Sequence, residues 1–384
     1  MSKFHFVNDN KIFYSKLEIS IVVALNYYYI YYFLILRFEK EFCNWTSDNH
    51  NIDQLIQQTQ LNAFTFKDII EWILFSKFTN IKYLAKEGFG TIFKAVWIDG
   101  YITGIDYQKN VWKRSAQIDI CLKGLYNSKD IKQEFLEEIK NQHKYGGKSA
   151  IVIYGITKNP KDGNYMIVME YAKQGSLRQL LDSKYVNQNM FSSYITDFGL
   201  CKPVSQDSSS KAFFGVLPYI APEVLYAHGK EYTQKSDIYS FGIIMSEVFT
   251  GYPPYHDIPH DKDLAIRICL GYRPKIRCEV PQLLLDLINK CLDADPQNRP
   301  TASELADTLN KFFINLKNKE TGLYSQVEDL DKNFLSCDQV KSTRFEYQTH
   351  PQAIYTSQFL NLSTLPKPAS QPSQHINFEV PDSK

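Results

Sequence analysis

A chain of 384 residues has room for one large domain with appendages or two modest domains. With 44% hydrophobic and 22% charged residues it can bury a sizeable core, which excludes wholesale disorder. Lys and Arg number 43 against 42 Asp and Glu, so the chain carries no basic footprint for nucleic acid. Seven cysteines at irregular spacing, without a C-x-x-C pair, argue against a disulfide framework and a zinc site. A reduced, cytoplasmic protein is the expectation.

Residues 1–41 read as a leader containing a charge-free run from 19 to 36, long enough to be a candidate membrane anchor. Five tyrosines and Asn26 lie inside that run, and Tyr prefers the interface to the bilayer centre. Lys3, Lys11 and Lys16 precede it while Arg37 and Lys40 follow, so charge sets no orientation. No small-residue cleavage site follows, which argues against a signal peptide. A leader that does not span at all is the alternative.

Residues 42–78 read as a helical lead-in, with Ile52, Leu55 and Ile56 at helical spacing and a second apolar cluster at Ile69, Ile70, Trp72 and Ile73. Residues 79–315 read as one mixed domain, strands first and helices later. Ile81 to Ile98 is strand-like, broken by Gly88 and Gly90, and Ile151–Tyr154 and Tyr165–Met169 are further short strands. After Thr233 the period turns helical, with Ile238, Phe241, Met245 and Val248 on one face and Gly251 at the stop. Pro281 opens a helix through Leu292, and Thr301 with Glu304 predicts a capping box before Leu305, Leu309 and Phe312. Residues 316–384 are polar, with Gln, Ser and Pro clusters, and are expected to be a tail that is disordered or only locally ordered.

The motifs are ordered along the chain. Asp197-Phe198-Gly199 follows a strand-like Tyr194-Ile195-Thr196, and Ala221-Pro222-Glu223 comes 21 residues later. Then come Asp237-Ile-Tyr-Ser-Phe-Gly242 and Asp295-Pro-Gln-Asn-Arg-Pro300. That set resembles a protein kinase domain over about residues 52–315, and its wording is similar to the tyrosine-kinase-like branch, whose active members mostly modify Ser or Thr. The resemblance implies an α+β bilobal fold. A β-rich small lobe would take about 79–169 and a mainly helical lobe about 173–315.

The resemblance also implies roles. ATP and Mg²⁺ would be the cofactors and protein substrates or signalling partners the targets. Asp197 would hold the metal, because a hard cation takes carboxylate oxygen, and Gly199 would let the loop turn. Phe198 would pack beneath the helix that carries the glutamate. Cys121-Leu122-Lys123 matches the strand of the phosphate-binding lysine. Its partner would come from the helix of residues 130–140, where Ile131, Phe135 and Ile139 form the buried stripe. Glu134 and Glu138 lie four apart there, and the wording favours Glu138. Ala85, Gly88, Gly90 and Ile92 would line the nucleotide from the glycine-rich hairpin. Met169, Glu170 and Ala172 would form the adenine-facing hinge. Glu223 and Arg299 match a structural ion pair, and Asp237 a scaffold residue under the catalytic loop. Ser205, Ser208, Ser209 and Ser210 fall in the activation segment as candidate phosphosites, with a solvated serine-rich loop as the alternative.

Two departures matter. In the glycine-rich loop Ala85 and Glu87 replace the first two glycines, where backbone N–H groups must approach phosphate closely. More seriously, only 15 residues, from Asp182 to Thr196, separate Leu181 from Asp197, and none forms the His-Arg-Asp loop. His260-Asp261 lies beyond Ala-Pro-Glu and cannot serve. About 40–50 residues of the family layout are absent between 181 and 194, including the base, a metal ligand and the central helix of the large lobe. No catalytic residue is identifiable. Losing that helix removes on the order of 10 kcal/mol of apolar burial, against a net stability of about 5–15 kcal/mol. The sequence therefore predicts an inactive chain whose large lobe is unstable unless something covers it.

Overall fold

The computed structural model describes residues 34–87, 90–106, 108–125, 133–173, 175–182, 195, 213–229, 231–276, 280–319, 321–336, 347–362 and 365–369. The chain divides into two compact units, residues 1–172 with 192–201, and residues 173–191 with 202–384.

The first unit is built on a six-stranded sheet. Its strands are β1 (Glu71–Trp72), β2 (Phe78–Glu87), β3 (Gly90–Trp97), β6 (Ile118–Leu125), β7 (Ile153–Lys158) and β8 (Tyr165–Glu170). They lie in the order β1-β7-β8-β6-β3-β2, antiparallel except for the β1–β7 pair. A separate hairpin joins β4 (Ile102–Asp106) to β5 (Val111–Arg114). Side chains alternate across the sheet, as the pleat requires. Ile120 and Leu122 pack with Ala95, Trp97 and Val168 in one cluster, while Cys121 belongs to another with Ile167 and Met169. That second cluster also takes Phe135, Leu136 and Ile139 from helix α3 (Gln133–Tyr145).

The lead-in differs from its sequence reading. Residues 50–61 do form a helix, α2 (His50–Leu61), whose N-cap Asn49 accepts from the backbone of Asn51 and Ile52. Residues 71–72 instead become strand β1. The apolar run at 69–73 fits a helix by spacing, yet Ile69, Ile70 and Ile73 enter three different clusters. The exposed edge of β7 decides the matter, because it offers backbone partners such as Ile156 O for Ile73 N at 2.9 Å. Of the run 19–36 only residues 34–36 are described, in helix α1 (34–41), where Leu34 and Phe38 pack with Ile69, Ile102 and Ile105. Among the described residues no helix is long and apolar enough to cross a membrane.

The second unit is mainly helical. It contains α4 (Leu177–Asp182), α5 (Pro222–Tyr226), α6 (Gln234–Thr250), α7 (Lys262–Cys269), α8 (Gln282–Cys291), α9 (Ala302–Lys317) and α10 (Gly322–Ser336). A small antiparallel pair joins β9 (Phe214–Gly215) to β10 (Gln358–Phe359). Thr233 and Ser236 form a capping box at the start of α6, and Gly251 ends it in the left-handed region at φ 72°. Gly242 lets α8 approach, since a Cβ there would lie 2.8 Å from the Cβ of Cys291. The buried side of α6 is Ile238, Tyr239, Ile243 and Met245. Val248, expected on that face, is exposed, because the small residues Gly242 and Ser246 set the contact side.

The tail beyond residue 316 has local order over its described part. Helix α10 follows α9, and residues 347–362 and 365–369 run mostly without helix or strand. Leu360, Leu362 and Leu365 are buried in the same core as Leu217, Ile220 and Ile243. Average polarity hid these leucines, two of which alternate as a strand with one buried face demands.

Candidate functional site

One row of paired residues crosses the sheet of the first unit. Ala85 pairs with Ile92, Ile92 with Lys123, and Lys123 with Ile167. A second row, two residues along β6, pairs Lys94 with Cys121 and Cys121 with Met169. Paired residues and those two apart share a face of a sheet, so Ile92, Cys121, Lys123 and Met169 all stand on one side. Helix α3 covers that side. Its Glu138 accepts from Lys123 Nζ at 2.7 Å, and both side chains are buried. A cation inside a strand is tolerable here because the carboxylate compensates its lost hydration.

The register of α3 is set from the lead-in as well as from the sheet. Ile52, Leu55, Ile56 and Ile70 pack into the cluster that holds Phe135, Leu136 and Ile139. His143, near the end of α3, is hydrogen-bonded through Nε2 to Asp68 O at 2.9 Å, and Gln142 Nε2 donates to Ile151 O at 3.2 Å. Sequence reading found the apolar spacing of α2 but not its target. Nothing in residues 42–78 names the helix they brace.

Met169 is buried at the end of β8 and Gln142 Nε2 points at its Sδ from 3.9 Å. Glu170 N donates to Val152 O at 2.9 Å, and Ala172 is exposed just beyond the strand. On the other side of the row, β2 and β3 stay paired to their tips, Lys86 with Thr91 and Glu87 with Gly90. Gly88 and Phe89, between those tips in sequence, lie outside the described residues, as does the side chain of Glu87. Asp197, Phe198, Gly199, Ser205, Ser208, Ser209 and Ser210 lie outside them too, as do Ile131 and the side chain of Glu134. Ile195, two residues before Asp197, is described: its N–H donates to Ser149 O at 2.8 Å and its carbonyl accepts from Ile151 N at 3.1 Å.

In the second unit Arg299 and Glu223 form a buried two-pronged pair at 2.8 and 2.7 Å. The remaining capacity is filled: Ser236 Oγ donates to Glu223, and Arg299 donates to Asp293 O and Lys235 O. That completeness makes burial of both charges tenable. Asp237 stands exposed in the first turn of α6, with no hydrogen-bond partner among the described residues.

Sequence reading missed a third charged group. Glu247 is buried on α6 and accepts from Arg178 Nη1 at 2.9 Å and from Tyr219 OH at 2.6 Å. Burial, with that carboxylate beside it, pushes the Tyr219 phenol well above its usual range. No local pattern announces these partners, which lie 69 and 28 residues from Glu247. Among the described residues no cluster of side chains could hold a metal ion.

Comparison with known proteins places two family descriptions on the chain. "Protein tyrosine and serine/threonine kinase" matches residues 78–194, and "Protein kinase domain" matches residues 186–310. The two matches meet at 186–194, on the segment where the loop is absent. Among curated relatives, the tyrosine-protein kinase SPK-1 of Girardia tigrina is 27% identical, over 53% of this chain and 50% of its own length. The dual specificity protein kinase zakA of Dictyostelium discoideum is 31% identical, over 46% and 21%. Receptor-interacting serine/threonine-protein kinase 4 of Mus musculus is 26% identical, over 60% and 33%. The chain spans half or less of the length of these relatives.

Proposed function

From the premise that this chain belongs to the protein kinase family, we propose that it is a signalling protein that keeps part of the family's nucleotide site but transfers no phosphate. The observation that carries the reading is the shortness of the segment between Leu181 and Asp197, which holds no His-Arg-Asp. None of the eight histidines in the chain is followed by Arg, so no other segment supplies the motif. Phosphoryl transfer depends almost wholly on positioning and charge stabilisation, and the base and one metal ligand are the parts that do both. The role left is that of a binding module. By the wording of its motifs, the family activity in question is ATP-dependent phosphorylation of protein Ser or Thr.

The residues fit the nucleotide unevenly. Lys123, held straight by Glu138, would meet the phosphates, and the face of Ile92, Cys121 and Met169 would take the adenine with the backbone of Glu170 and Ala172. The hairpin fits less well by its sequence, since Ala85 and Glu87 stand where the family pattern has glycines and a carboxylate there would repel phosphate. Magnesium would depend on Asp197 alone. When bound, ATP would supply the transferable phosphoryl group; the chain's own contribution is a fixed cation and an apolar slot.

A second reading is favoured by the intact Lys123–Glu138 pair: the chain is a shortened product of a locus whose longer form is an active kinase. Sequencing the transcript across the codons for Leu181 to Tyr194 separates the two. A longer message restoring the loop would support the second reading. For the chain itself, a phosphate-transfer assay on purified 1–384 is expected to stay at background. Transfer above background that Lys123→Ala abolishes would overturn the proposal.

A further inference from the structure

We propose that the face of α6 formed by Asp237, Phe241, Ile244 and Val248 docks an amphipathic helix of a partner protein, one with a Lys or Arg at one end of an apolar stripe. The inference rests on the reading of the chain as a binding module and names the kind of partner that module takes. The four residues stand at i, i+4, i+7 and i+11, so they fall on one side of the helix within an arc of about 60°. That side is not part of the core. Ile244 and Val248 enter none of the apolar clusters among the described residues. Val248 is 42% exposed, Ile244 is half-buried, and Phe241 is half-buried against the edge of the core. A lone exposed valine needs no explanation, whereas three apolar residues in line on one helix form a surface that another element can cover.

The two ends of the stripe differ, and the difference selects the occupant. At the first turn, Asp237 is exposed and has no hydrogen-bond partner among the described residues. The protein around it raises its carboxyl above the ordinary range, and no neighbouring cation counters that shift. At the other end the charges are already matched. Arg178 of α4 donates to Glu247 at 2.9 Å and to Gly251 O at 2.7 Å, on either side of Val248 in the chain, and to Asp182 at 2.8 Å. Leu177 is exposed and Leu181 half-buried, and neither enters a cluster, so α4 brings further unclaimed apolar surface to that end. A helix laid on this face therefore meets apolar side chains along most of its length and one unmatched carboxylate at one end. A Lys or Arg over Asp237 gains a charge pair, while an Asp or Glu there would meet a like charge.

The test uses the full chain and two fluorescent, alanine-rich helical peptides. Each repeats the spacing of the stripe with three leucines and one arginine, the arginine at the N-terminal end in one and at the C-terminal end in the other, so that both helix directions are covered. One of them is expected to bind saturably, seen as a rise in anisotropy. Asp237→Lys should weaken that binding about tenfold or more, and the same peptide with Glu in place of Arg should regain it on the Asp237→Lys protein. Val248→Arg should abolish binding of both. Both substitutions are at exposed positions, and an unchanged unfolding midpoint shows that each variant is folded. The proposal is overturned if neither peptide binds saturably, or if binding is indifferent to Asp237→Lys and Val248→Arg. It is equally overturned if light scattering finds a dimer that Val248→Arg splits, since a second copy is then the occupant. The phosphate-transfer assay reports on the binding-module reading separately, so failure of the site and failure of that reading are told apart.

Discussion

The ammonium of Lys123 on β6 and the carboxylate of Glu138 on α3 meet at 2.7 Å, with 4% and 6% of their side chains exposed. Each charge offsets part of the burial cost of the other. Lys123→Met alone is expected to cost about 3–5 kcal/mol, since it strands the buried Glu138 carboxylate, and Glu138→Leu alone also destabilises, since it removes a buried partner of Lys123. Both together should cost clearly less than the sum of the two, because no charge is left behind. Urea unfolding of the three variants checks this. Additive losses would mean that the pair does not interact as placed.

The lead-in is expected to matter to that pair at a distance. Ile56 is fully buried on α2, in the cluster that also takes Ile139 from α3. Ile56→Ala should cost about 2–5 kcal/mol through the cavity it leaves. It should also raise the rate at which an amine-reactive reagent labels Lys123, because a loosened α3 exposes the ammonium. Destabilisation with unchanged Lys123 labelling would show that α2 supports the sheet and not the pair.

Arg299 grips both oxygens of Glu223 and the backbone carbonyls of Asp293, Lys235 and Ala294 besides. A lysine has the charge but not the planar fork. Arg299→Lys is therefore expected to lose about as much stability as Arg299→Ala, about 3–5 kcal/mol for a stranded Glu223. Thermal unfolding in low and high salt checks this, and the loss should be nearly salt-independent at so buried a site. Recovery of most of the stability by lysine would refute the two-pronged geometry.

His260 gives the second unit a pH dependence. Burial lowers its imidazole below the ordinary 6.5, with the nearby His350 acting in the same direction. The backbone of Ile354 and Tyr255 and the carboxylate of Asp261 oppose that shift, and the Tyr355 ring packs edge-on at 4.9 Å. The unfolded chain therefore binds this proton more readily than the folded one. The stability contributed is present above pH 6.5 and is lost as pH falls below it. Wild-type Tm should drop between pH 7.5 and 5.5 by more than that of His260→Gln. Equal drops in the two proteins would remove His260 from the account.

Much of the family architecture was legible in the residues. The helix stop at Gly251 and the capping box at Thr301 and Glu304 are local chemistry. Each depends on residues within a few positions of one another. Lys123 and Glu138 stand out by wording shared with protein kinases, and the cost of a lysine without a partner in an apolar strand agrees with that reading.

What the sequence by itself determined is therefore the set of short-range elements and the absence of the His-Arg-Asp loop. Tertiary structure alone decided three further things. It turned residues 71–72 into a strand, because the β7 edge supplied backbone partners. It gathered Arg178, Tyr219 and Glu247 across 69 positions of chain. It also drew Leu360, Leu362 and Leu365 out of a polar tail into a core, because a free strand edge and an apolar seat were waiting for them. In all three cases the deciding partner lies far along the chain. Its hydrogen bonds and buried area exist only once the chain has closed on itself, so no local pattern could announce them.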